Sequence, residues 1–126
     1  MSMTTKERGD QAVGQAINYF ISSGYEVCLP IGDKRAYDMV VEKNSKLERV
    51  QIKFAGLYKA TAKCKVGLRI TGGNQSFNYS KKYSADDFDA LFVYTARGDR
   101  FFIPWSAVDC RNEISIETAK YAEFRV

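Results

Sequence analysis

Two runs in the first half of the chain leave little choice of backbone. Leu47–Phe54 (LERVQIKF) alternates apolar with polar, setting Val50, Ile52 and Phe54 on one side and Arg49, Gln51 and Lys53 on the other. That is the period of a strand with one buried face. Tyr37–Glu42 (YDMVVE) is rich in β-branched residues, and only Lys43–Lys46 separates the two runs. A connection that short joins antiparallel neighbours about 4.8 Å apart. Upstream, Tyr25–Leu29 predicts a shorter strand ended by Pro30, with a turn over Ile31–Lys34.

A helix precedes these strands. Thr4 with Glu7 three residues on has the form of a capping box. Ala12, Val13, Ala16, Ile17, Phe20 and Ile21 recur at helical spacing, Gln11, Gln15, Asn18 and Ser22 fall opposite, and Ser23-Gly24 ends the element. Asp10, three residues before Val13 and seven before Ile17, is expected on the buried face near the helix start.

Farther on, Cys64–Thr71 (CKVGLRIT) predicts another strand and Gly72–Ser76 a loop, either a plain turn or a segment that approaches a DNA backbone. Asp86, Asp87 and Asp89 read as the cap of a short helical turn. Leu91–Thr95 (LFVYT) is an apolar strand of the kind buried on both faces, turned back by Arg97-Gly98-Asp99 into Arg100–Ile103. Tyr121 and Phe124 in the tail are expected to pack on the core. With 126 residues, no repeat and no linker, the expectation is one mixed α/β domain over residues 1–126, a central mixed sheet flanked by helices.

The chain has no histidine. Ser-His-Asp and Cys-His catalysis, nucleases with a histidine base and the usual His-bearing zinc hydrolases are thereby excluded. Chemistry here must run on carboxylates, lysine and a hard cation held by oxygen. Cys28, Cys64 and Cys110 are odd in number and far apart, which predicts free thiols in a reducing compartment. With no apolar run long enough to span a membrane and no signal-peptide core near the N-terminus, the expected location is cytoplasmic.

The net charge of +4 is unevenly spread: Gln51–Tyr83 carries seven cations and no acid, leaving the rest at −3 (twelve cations against fifteen acids). A long stretch of one sign implies an anionic partner. Its interleaved Tyr58, Phe77, Tyr79 and Tyr83 suit nucleic acid, although a basic surface loop kept soluble by lysine explains the same composition. The expected DNA contacts are Lys59, Lys63, Lys65 and Arg69, then Asn74, Gln75, Lys81 and Lys82.

The chemical centre is expected where the two adjacent strands meet. Gln51 and Lys53 share a face, and if Asp38 shares it too, a carboxylate, an amide and an ammonium converge. Phosphodiester hydrolysis needs such a set: oxygens to hold Mg²⁺ and a lysine to orient or deprotonate water. The same residues also have plain readings, Asp38 as a turn aspartate and Gln51 and Lys53 as the solvent face of an edge strand.

Taken in order, an amphipathic helix with Gly9-Asp10, then GYEVCLPIGDKRAYDMVV, then RVQIKF, with LRITGGNQS, DALFVYT and FFIPWSAV downstream, resembles the PD-(D/E)XK nuclease superfamily, specifically the small group with intron-associated homing endonucleases. The resemblance implies a restriction-endonuclease-like core and a metal-dependent DNA endonuclease of homing or restriction type. In it Asp38 would be the chief metal ligand, Gln51 a second oxygen ligand and Lys53 the water-activating cation. It implies Mg²⁺, with Mn²⁺ as substitute, and double-stranded DNA as substrate. A domain this small carries one site, so cutting both strands calls for a homodimer or homotetramer. One departure stands out: the helix glutamate usual in the family falls at Val13. Asp10 is the preferred stand-in, Glu7 having its capping role, although an Asp near a helix start is also favoured by the dipole alone. Two further readings are a Holliday-junction resolvase of the same fold and a catalytically inactive DNA-binding domain.

Overall fold

The computed structural model describes residues 3–74, 77–108 and 112–126, with main-chain course alone at 69–74 and 77–81. Its first element is α1, Thr5–Ser22, and the capping box forms. The Glu7 N–H donates to Thr4 Oγ1 at 3.1 Å and the Thr4 N–H donates to Glu7 Oε1 at 3.0 Å. These bonds satisfy two otherwise orphaned donors and hold the Glu7 carboxyl below its ordinary pKa. Gly24, at φ +87, lets the chain turn out of the helix.

The buried stripe of α1 is narrower than the apolar pattern implies: Ala12, Ala16 and Phe20 alone are fully covered. At about 100° per residue, Asp10 and Ile21 lie roughly 120° and 140° round the helix from the centre of that stripe. Both are exposed, Ile21 at 60%. The expectation that Asp10 lies on the buried face is therefore corrected. Two alanines let the helix pack closely on the sheet, while Val13, Ile17 and Tyr19 pack against the same cluster only in part.

Beneath α1 lies the seven-stranded sheet. Strand β1 (Glu26–Cys28) pairs antiparallel with β2 (Met39–Lys43), which pairs antiparallel with β3 (Lys46–Tyr58). Asn44 and Ser45, both at positive φ, make the two-residue turn that fixes the β2–β3 register. The middle of β3 runs parallel to β7 (Ala90–Thr95), and β7 pairs antiparallel with β8 (Arg100–Pro104). The end of β3 pairs with β4 (Lys63–Gly67), which pairs with β9 (Glu113–Ser115). The sheet is thus mixed, as expected. The flanking helices reduce, among the described residues, to α1 and two short 3₁₀ segments, Trp105–Ala107 and Ala119–Phe124.

Cys64–Thr71 is not one strand. Leu68 is buried and its N–H donates to the Asn112 carbonyl at 2.7 Å, which takes the chain out of the main sheet. It then forms a separate hairpin of β5 (Arg69–Asn74) and β6 (Phe77–Lys82). Gly72–Asn74 is accordingly strand rather than loop. Gln75 and Ser76 lie outside the described residues, as does Cys110. Cys28 and Cys64 are free thiols. Asp86 and Asp87 form a turn and not a helix, with the Ser84 N–H donating to Asp87 Oδ2 at 2.7 Å.

Two cores result. Val50 and Ile52 of β3, Met39 and Val41 of β2 and Phe92 of β7 pack under α1. There Phe20 stacks edge-on against Phe102 with ring centroids 5.0 Å apart. Ala55, Leu91 and Val93 face the other way, into a cluster with Tyr83, Phe88, Trp105 and the buried Tyr121, against which Phe124 packs. Strand β7 is therefore covered on both faces.

Candidate active site

The β2–β3 register sets Met39 opposite Val50, and one step farther it sets Asp38 opposite Gln51. Because Val50 and Ile52 point toward α1, strand alternation turns Asp38, Gln51 and Lys53 to the opposite face. The Asp38 N–H donates to the Val50 carbonyl at 2.8 Å, and Asp38 Oδ2 accepts the Ile52 N–H, also at 2.8 Å. Asp38 keeps an exposed edge, yet protein packs closely enough around its carboxyl for burial to raise its pKa. The Ile52 N–H and the Lys53 charge offset part of that rise.

Gln51 is buried, with 8% exposed, and its amide has few partners. With the amide oxygen toward Asp38, Nε2 donates to Tyr83 Oη at 3.4 Å. That orientation would set Gln51 Oε1 against two acceptors, Asp38 Oδ2 and the Ala36 carbonyl, so the amide takes the opposite one. Turned over, the amide nitrogen donates to Asp38 Oδ2 at 3.3 Å and to the Ala36 carbonyl. Lys53 is half-buried, and its Nζ stands 5.1 Å from the centre of the Tyr83 ring.

Tyr83 is the residue that sequence reasoning misplaced. It reads there as one of several aromatics suited to nucleic acid, whereas it is buried against Phe88 and Trp105 with centroids 5.2 and 6.2 Å away. Its contact with Gln51 spans 32 positions, and no local pattern announces a pairing so distant.

The helix acids do not join the group. Asp10 is exposed on α1, which packs on the other face of the sheet, and Glu7 is held by its cap. Among the described residues no three Asp, Glu, Cys or His side chains come together as a metal cluster. Asp89 is engaged elsewhere, where Arg49 grips it through Nη2 to Oδ1 and Nε to Oδ2, both at 3.2 Å. What converges is one carboxylate, one side-chain amide and one main-chain carbonyl, and the carboxylate and carbonyl oxygens are hard donors of the kind Mg²⁺ takes. The donor set fits such an ion.

Of the expected DNA contacts, Lys59 and Lys63 are exposed around the β3–β4 turn, and Lys82 is exposed at the end of β6. Lys65 is shared: its Nζ lies 3.6 Å from Glu113 on β9 and 5.0 Å from the centre of the Tyr58 ring. The acid-free stretch thus meets an acid from another strand. Arg69 and Asn74 lie on β5 and Lys81 on β6, on the separate hairpin. The side chains of these three lie outside the described residues, as does the whole of Gln75.

A mixed sheet whose β2–β3 hairpin carries Asp38, Gln51 and Lys53 on one face has the architecture of a PD-(D/E)XK nuclease. The family model for PD-(D/E)XK endonucleases matches residues 3–123, and the chain belongs to that family. Its structure is similar to that of a bacterial homing endonuclease, I-Ssp6803I, at 27% sequence identity and a TM-score of 0.82, over 98% of this chain and 89% of the other. Among curated proteins none matches significantly. Nucleases of this family generally use divalent metal ions. Among the described residues, no helix is long and apolar enough to cross a membrane.

Proposed function

We propose that the protein is an Mg²⁺-dependent, sequence-specific DNA endonuclease, with Mn²⁺ as an acceptable substitute, working in the cytoplasm as a homodimer or homotetramer. The observation that carries this reading is the placement of Asp38, Gln51 and Lys53 together on one face of the β2–β3 hairpin, with the Asp38 carboxylate held by the Ile52 N–H. A bound Mg²⁺ would neutralise phosphate charge and lower the pKa of water.

Asp38 supplies the negative charge of the ligand set, and its Oδ2 is held in place by the Ile52 N–H. Gln51 and the Ala36 carbonyl supply neutral oxygens, so the site carries less charge than one built on two carboxylates. Lys53, two residues on from Gln51 and on the same face, orients the attacking water and supports the charge that develops on phosphate. The exposed cations Lys59, Lys63 and Lys82, with Arg69, Asn74 and Lys81 of the β5–β6 hairpin, Gln75, and Lys65 in part, bind the backbone. The likeness to a homing endonuclease supports a sequence-specific duplex as substrate over a four-way junction.

A lone carboxylate also favours a second reading, a DNA-binding domain whose site is silent. Incubation with a mixed-sequence plasmid library and with a synthetic four-way junction, each in Mg²⁺ or EDTA, separates these. The expected result is Mg²⁺-dependent cutting of the duplex at defined positions. Preferential cutting of the junction would indicate a resolvase. Tight binding with no cutting of either would indicate the silent site.

A further inference from the structure

We infer that Tyr83 is a positioning residue for Lys53, its ring serving as a fixed platform that holds the ammonium at the site by a cation–π contact. The inference rests on the reading of Lys53 as the cation that orients water. Lysine ends in a flexible four-carbon stem, so an ammonium without a partner samples many positions. Among the described residues Lys53 makes no hydrogen bond and no ion pair. Its Nζ lies over the Tyr83 ring instead, 5.1 Å from the centroid.

The face of an aromatic ring is the negative side of its quadrupole and attracts a cation placed over it. A carboxylate in the same place would hold the ammonium too, but it would also cancel the charge. The ring holds the ammonium and leaves its full charge for phosphate. The attraction grows where water is excluded, and here Lys53 is half-buried over a Tyr83 that is 8% exposed. The Lys53 charge also acts on the Asp38 carboxyl, so the ammonium stands within reach of both the ring and that ligand.

A platform must itself be rigid. The Tyr83 ring packs edge-on to Phe88 at 75° and to Trp105 at 88°. The Trp105 indole N–H donates to the Ser84 carbonyl at 2.9 Å, pinning the next residue. At the far end of the ring the hydroxyl meets the Gln51 amide at 3.4 Å, which ties Tyr83 to the strand that carries Lys53. A leucine at this position would fill the core and offer the ammonium nothing.

Fluorine separates the electrostatics of the ring from its shape. Tyr83→Phe serves as the reference, since it removes the hydroxyl and keeps the ring. Phenylalanines bearing one, two and three ring fluorines at position 83 then weaken the quadrupole at nearly constant size. Relative to Tyr83→Phe, kcat for duplex cleavage should fall stepwise, by about 3- to 10-fold over the series, the range of one cation–π contact. KM for DNA and Mn²⁺ affinity should stay level. In the DNA-free protein, nuclear magnetic resonance should show the Lys53 ε-methylene protons shifted upfield by the ring, and Tyr83→Leu should remove that shift. Lys53→Ala is the control for the lysine itself and should lose about 10²-fold or more in rate. No upfield shift in wild type, or a level kcat across the fluorine series while Lys53→Ala is impaired, overturns the platform. Cutting by Lys53→Ala at the wild-type rate overturns the catalytic reading of Lys53 instead, and this inference with it.

Discussion

The Asp38 carboxylate accepts the main-chain N–H of Ile52 at 2.8 Å, so the first residue of the site is fixed by the backbone of the strand that carries the other two. Its environment also sets a pH dependence. Burial raises the Asp38 pKa against the opposing pull of the Ile52 N–H and Lys53. A carboxyl whose folded pKa exceeds its unfolded value contributes stability that is full below the unfolded pKa and is lost as pH rises through the folded one. Asparagine keeps an oxygen for Ile52 without the charge. In EDTA, the melting temperature of Asp38→Asn relative to wild type should therefore rise as pH climbs above the ordinary carboxylate pKa of about 4. Added Mg²⁺ should stabilise wild type and leave the variant unmoved. A difference independent of pH would remove burial of this charge from the account.

The helix makes a contrasting prediction. Asp10 points away from the ridge that packs on the sheet, and Val13 packs against the apolar cluster under α1. Asp10→Asn should change the cleavage rate by less than about 3-fold, where loss of a catalytic group costs about 10²-fold or more. Val13→Glu sets a charge against apolar side chains and should lower stability by about 1–3 kcal/mol without raising activity. A large rate loss in Asp10→Asn at unchanged stability would bring the helix back into the site.

The site was legible where the backbone is periodic and connections are short. A period of two sets Gln51 and Lys53 on one face from sequence alone; Asp38 stayed conditional there, and the two-residue turn, by fixing the register of β2 on β3, adds it to that face. The buried β7 and its return into β8 are legible for the same reason, since apolar runs bounded by Pro104 and Gly98 leave few alternatives. Asp10 was misread because six apolar positions describe a broad face, whereas the fully buried positions are Ala12, Ala16 and Phe20 and Asp10 lies well round the helix from them. The break at Leu68 depends on a hydrogen bond to Asn112, and the engagement of Lys65 depends on Glu113 two strands from β3. Tyr83 depends on a contact with Gln51. These are tertiary pairings between distant positions, and a single sequence carries no local trace of them.

Binding to DNA can be read from salt dependence. Each lysine on a phosphate releases condensed counterion, so log affinity falls with log salt by about 0.9 per contact on duplex DNA. Lys59 and Lys63 are exposed and make no ion pair among the described residues. Lys59→Ala with Lys63→Ala should flatten that slope by up to about two units, and Lys81→Ala with Lys82→Ala by a similar amount. Lys65→Ala should alter it less, because Glu113 already compensates part of its charge. Slopes equal to wild type in both double variants would place the DNA on another surface.

The most direct test compares wild type and Asp38→Asn on the same duplex substrate at saturating Mg²⁺, with DNA affinity measured in parallel. The substitution removes ligand charge while keeping shape and the bond from Ile52. The account predicts Mg²⁺-dependent cutting by wild type, a loss of at least about 10²-fold in the variant, and DNA binding that is nearly unchanged. Cleavage by Asp38→Asn at the wild-type rate would contradict it.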